Sequence, residues 1–235
     1  MAPTATATDL AAAYAGITDV VVGRDDSDLQ RPTRCHGWVV ADLLFHVLCD
    51  AQRALVTLAS PARGPADVDA VSYWRAFPPI AADGTDSTGN DRAVDAARHA
   101  WWARRSAAAF DRPSGIVRLW TETAPAAVRA AGRADPAALV STQGHVLRVA
   151  DFLATLVTEA VVHHLDLVVD LPDAPPPAAT ATAVAVATMD GLLGAPAPTG
   201  WTATDHLLKA TGRLGLTMVD RAALGATAGR FPLLG

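Results

Sequence analysis

Two cysteines in 235 residues, Cys35 and Cys49, cannot build a disulfide framework, so the chain reads as a reduced, cytosolic protein. No secretory leader is expected, because MAPTATATDLAAAYAGITDV lacks both a basic start and a long uninterrupted apolar stretch. Nothing approaches the ~20-residue apolar span that crosses a bilayer. The alanine-rich stretch 178–188 is too short and too weakly hydrophobic for that. Tyr, Phe and Thr do not alternate with polar residues over long stretches, which argues against a strand-rich fold. A basic stripe is missing too, and a net charge of -5 speaks against a nucleic-acid partner. Arg104 and Arg105, following Trp101 and Trp102, read as a solvated helix face.

What the chain does have is apolar mass. Hydrophobic residues make up 51% and charged residues 18%, enough for a large core. Much of that content is alanine, which favours helices because it loses no side-chain entropy. Helical spacing of apolar residues predicts a helix over 9–23, with Asp9 as N-cap, and a second over about 39–59. The second carries Leu43, Leu44, Val47, Leu48, Ala51, Leu55 and Leu58 on one stripe, with Asp42 in its first turn. Residues 61–90 read as a long loop with one helical turn around Val71–Phe77. A third helix is expected over about 91–110 and a fourth over about 150–169. Between them, 116–120 (IVRLW) and 139–147 (LVSTQGHVL) read as short strands or extended arms. Four prolines within 172–177 form a stiff connector. The expected division is therefore a bundle over 1–171, the connector 172–177, and a helical extension over 178–235 packed on the bundle.

Glu159 and His163 stand four residues apart, so on a helix both leave one face a turn apart. A carboxylate and an imidazole so placed need one more ligand to hold a divalent metal with open coordination positions. His46, on the second helix, supplies it if the two helices pack face to face. A plainer account also exists. Glu-x-x-x-His pairs are common on helix surfaces, and a lone histidine among leucines is often a hydrogen-bonded core residue. The neighbours Val157, Val161, Val162 and Leu165 tilt the balance, because a buried carboxylate must be paired or metal-bound. Asp42 and Asp50 flank His46 by one turn, and Asp166 follows His163 on nearly the same face, each placed to orient an imidazole. Cys49 is read as a small buried residue, with a fourth ligand as the alternative. His164 is a packing or rim residue.

The segments RPTRCHGWVVADLLFHVL and VADFLATLVTEAVVHHLDL resemble the two signatures of the mycothiol-dependent maleylpyruvate isomerase family, in the DinB-like superfamily. The tail ATGRLGLTMVDRAALGATAGRFPLLG is similar to the end of many members. The resemblance implies a mainly α, DinB-like four-helix bundle holding a divalent metal on His46, Glu159 and His163. Zinc is the expected ion and nickel the second choice. It also implies mycothiol as thiol cosubstrate. From the sequence itself, the few basic groups that could hold an anionic cosubstrate or substrate are Arg53 and Arg213, with Arg148 before the fourth helix, and a surface salt bridge is the plainer account of each. Three departures stand out: Val39 replaces a capping Thr, Cys35-His36 replaces Cys-Pro, and Leu156 replaces an Arg. The tail lacks an obvious strand-rich C-terminal domain, so maleylpyruvate itself is not the expected substrate. The expected activity is thiol transfer to, or thiol-assisted isomerisation of, a small electrophile by a monomer or homodimer. The alternatives are a metal-dependent hydrolase of a small ester or amide, and a non-catalytic bundle that binds a small molecule or partner.

Overall fold

Helix α1 (Ala7–Val21) begins with a reciprocal cap in which Asp9 N donates to Thr6 Oγ1 and Thr6 N donates to Asp9 Oδ2. The N-cap is therefore Thr6, and the expected cap Asp9 is its partner three residues on. In this computed structural model the described residues are 2–75 and 92–234. The expected loop's residues 76–90, the Phe77 end of its helical turn, and the Asp91 start of the third helix lie outside them.

Helix α2 (Val40–Leu58) follows a loop closed by a bridge between Pro32 and Val39. Val39 has no side-chain acceptor, so its first turn keeps only half a capping box, the Val39 N–H donating to Asp42 Oδ2 at 3.1 Å. The single turn α3 (Ser72–Arg75) sits within the expected Val71–Phe77 turn, and α4 covers Arg92–Ala107.

The next element corrects the sequence reading. Residues 116–120 are not extended; they lie in α5 (Ser114–Ala131). Its buried positions Ile116, Trp120, Ala124, Ala127 and Ala131 repeat every three or four residues, the spacing of one helix face. The β-branched and aromatic residues that suggested a strand fill that face. Trp120 Nε1 donates to Thr18 Oγ1 at 2.9 Å, and its ring meets Tyr14 edge-on at 5.1 Å. Pro125 lies inside the helix and removes one backbone donor.

Extended structure does form over the second segment, but as two strands of one hairpin, β1 (Leu139–Thr142) antiparallel to β2 (His145–Arg148). Gln143 (φ 49°) and Gly144 (φ 82°) both take the left-handed conformation that a two-residue turn of this twist requires. Helix α6 (Val149–Leu167) follows at once and ends in a 3-10 turn, Val168–Asp170. Past the prolines come α7 (Ala179–Leu193), α8 (Ala203–Ala210) and α9 (Met218–Leu224).

The bundle is α1, α2, α5 and α6. That is a second correction, because the helix expected over 91–110 stands outside it as α4, against α2, and α5 takes its place. α7 lies across α6 and α1, and α8 packs on α7. Being covered this way explains why almost every position of α6 is buried. It also corrects a further expectation: Val149–Asp170, 22 residues, is long and apolar enough to cross a bilayer by length and composition. Here 83% of its apolar window is buried among the other helices. α1 meets α6 at Gly16, where a Cβ would lie 3.1 Å from two atoms of the His164 ring.

Candidate metal centre

Packing α2 against α6 brings together the three residues singled out in the sequence. One donor atom each from His46, Glu159 and His163 falls within 4.8 Å of the other two. His163 Nε2 is 3.2 Å from Glu159 Oε2, and the His46 and His163 rings stand edge-on with centroids 4.9 Å apart. Glu159 is 25% exposed and His163 11%, so the group is shielded yet reachable.

Behind His163 stands a chain of supports. His163 Nδ1 is 3.1 Å from Asp166 Oδ2, the contact expected from their spacing. Asp166 is fully buried, and Arg213 Nε donates to its two oxygens at 2.8 and 2.9 Å. Cys35 Sγ donates to Oδ2 at 3.3 Å, while Arg213 Nη1 donates to the Thr211 carbonyl. The Arg34 N–H donates to the Asp166 carbonyl and pins the Cys35 loop to the end of α6.

The charges follow from this wiring. Burial pushes Glu159 up, but the hydrogen bond and charge of His163, with His46 and Arg53 nearby, hold it well below the carboxylate range. Burial pushes His163 down, and its bonds to Asp166, Cys35 and Glu159 carry it well above the imidazole range instead. Burial, then the neighbouring His163, lowers His46 and keeps it neutral. Burial also raises Asp166, but His163 and Arg213 together hold it far below its usual value. These directions make Glu159 a carboxylate beside a protonated His163, whose two ring N–H groups face Glu159 and Asp166. A dication suits the same position, because two imidazole nitrogens and a carboxylate oxygen are a zinc donor set that leaves coordination open.

A second set of donors, Cys35, His163 and Asp166, also falls within 4.8 Å. It is the poorer cradle for a cation, because the Arg213 guanidinium already occupies both Asp166 oxygens.

The other expected residues divide. Asp42 caps α2, and Asp50 accepts from Arg53 at 3.0 Å, so neither is seen to hold the His46 ring. Arg53 also lies 5.5 Å over the Phe152 ring. Asp50 Oδ2, Arg53 Nη1 and Tyr14 Oη are buried without a hydrogen-bond partner. Cys49 belongs to neither donor set among the described residues, and burial, then the Asp50 charge, pushes its thiol up to about 11. His164 packs inside, with Nε2 2.8 Å from the Pro175 carbonyl. His99 was not foreseen: its Nε2 lies 3.2 Å from His46 Nδ1. It sits on a helix rich in alanine and charge, and nothing in its neighbours marks it.

The family model described as the mycothiol maleylpyruvate isomerase N-terminal domain matches residues 10–168, from α1 to the turn after α6. No curated protein and no solved structure matches the chain. The matched span includes His46, Glu159 and His163 and covers well over half of the sequence, so this protein belongs to the mycothiol maleylpyruvate isomerase N-terminal domain family.

Proposed function

We propose that this chain is a divalent-metal-dependent enzyme that activates a low-molecular-weight thiol, mycothiol by family, toward a small electrophile. The observation that carries this reading is the convergence of the His46, Glu159 and His163 donors within 4.8 Å. Zinc is commonly held by two imidazoles and one carboxylate with a position left open. A bound dication would favour a thiolate over a thiol at neutral pH and so supply the nucleophile.

The residues around it do the rest. Glu159 brings the one carboxylate charge of the set. Asp166 fixes the His163 ring through Nδ1 and leaves Nε2 for the ligand role. Arg213 balances Asp166, so that second carboxylate adds no net charge at the centre. Arg53 is the better anchor for the polar end of a cosubstrate. It and Asp50 each keep a buried atom without a partner, and buried polar atoms are ordinarily satisfied by protein, water or ligand. Arg213 has no such atom, which assigns it to support. Transfer of the thiol and thiol-assisted isomerisation share the attack step and differ in whether the thiol leaves again.

Two measurements test the proposal. Protein purified without a histidine tag should carry near-stoichiometric zinc or nickel, and mycothiol should be consumed with at least one member of a panel of electrophiles. Metal-free protein, or a thiol-inert protein that hydrolyses simple esters, would sink it.

A further inference from the structure

We propose that His99, on α4 outside the bundle, is a positioning residue that fixes the tautomer and orientation of His46; this rests on the metal-centre reading above. His99 Nε2 and His46 Nδ1 are 3.2 Å apart, a distance at which one ring donates and the other accepts. His99 is not part of the convergent donor set, so it meets His46 from outside that set. The direction of the bond then matters. If His46 donates from Nδ1, its Nε2 keeps a lone pair for a cation; in the reverse tautomer Nε2 carries a hydrogen and cannot ligate.

His99 is itself braced. Its ring lies against Trp102 at 5.7 Å, and Trp102 packs on Phe45, the residue before His46, also at 5.7 Å. Trp38 meets the His46 ring edge-on at 5.7 Å, and Arg104 of α4 donates to the Gly37 carbonyl beside it. The ring of His46 is thus aimed by α4 and the 37–38 loop. Outer groups of this kind alter metal affinity by roughly 10–100-fold.

The test is zinc affinity by chelator competition, with melting curves, for the wild type, His99→Ala, His99→Gln and the surface control Trp101→Ala. His99→Ala should bind zinc roughly 10–100-fold more weakly. His99→Gln, whose amide oxygen accepts near the position of Nε2, should recover most of the loss, and Trp101→Ala should match the wild type. An unchanged affinity in His99→Ala, or a His99→Gln as weak as His99→Ala, overturns the proposal while leaving the metal centre standing. A wild type that binds no zinc overturns both.

Discussion

Two buried carboxylates, Asp166 and Asp220, are held by similar bonds and put to different ends. Asp220 accepts from Lys209 Nζ at 2.9 Å, from Trp201 Nε1 at 2.6 Å and from the backbone and hydroxyl of Thr217 at 2.8 Å. Lys209 in turn lies 4.3 Å over the Trp201 ring. Every partner there is spent on another, and the cluster staples α8 to the start of α9. Asp166 is equally saturated by Arg213 and Cys35, but its third partner is an imidazole whose far nitrogen faces Glu159. One network closes on itself and the other ends on donor atoms that still have capacity for a ligand. That difference separates a structural ion pair from a poised site better than burial or charge alone.

The sharpest way to break the comparison is at the open end. His163→Ala, Glu159→Ala or His46→Ala should each abolish stoichiometric zinc and thiol consumption, while circular dichroism stays helical; full metal content in any of them would refute the assignment. Next comes the support. Arg213→Met strands a buried carboxylate and should cost about 3 kcal/mol in denaturant unfolding, at the lower end for a broken buried pair because Arg213 is partly exposed. It should also weaken zinc binding. Lys209→Met should lower stability with zinc affinity unchanged, and a matching loss of zinc in both variants would erase the distinction.

Acid titration sharpens it further. Both carboxyls are held below their unfolded value of about 3.9, so the stability they add is complete above that pH and is lost as pH falls beneath it. Unfolding midpoints of the metal-free protein should therefore decline below about pH 4, and Asp166→Asn should flatten part of that decline. The smallest effect concerns neither cluster: Val39→Thr should complete the α2 cap and add about 0.5–1 kcal/mol. A thermal melt raised by roughly 1–4 °C would register it.

Most of this architecture was readable in advance, and the gaps have physical causes. α1, α2 and α6 announce themselves because one apolar stripe, or in α6 nearly a whole apolar circumference, repeats at helical spacing. Extended structure over 139–147 was readable from its apolar residues, but the turn at Gln143-Gly144 that folds this one segment into a hairpin was not. α5 was not, since Ile116, Val117 and Trp120 favour strands locally and Pro125 looks like a stop. Only burial against Tyr14 and Thr18 overrides those preferences. Within the site, Glu159 and His163 share a turn and could be paired by counting, and the same spacing rule reaches Asp166, three positions after His163. Cys35 lies 131 positions from Asp166 and Arg213 lies 47 away, distances over which no periodicity speaks. His99 depends wholly on how α4 docks.

The near-contact at Gly16 ties a residue with no side chain on α1 to the helix that carries Glu159 and His163. A methyl there would ask the His164 ring to yield by a few tenths of an ångström. That ring is also held through Nε2 to the carbonyl of Pro175, so any yielding is shared between the proline connector and the backbone that also bears His163. The hydrogen atom that Gly16 carries in place of a side chain thus sets how closely α1 can approach the helix that bears Glu159 and His163.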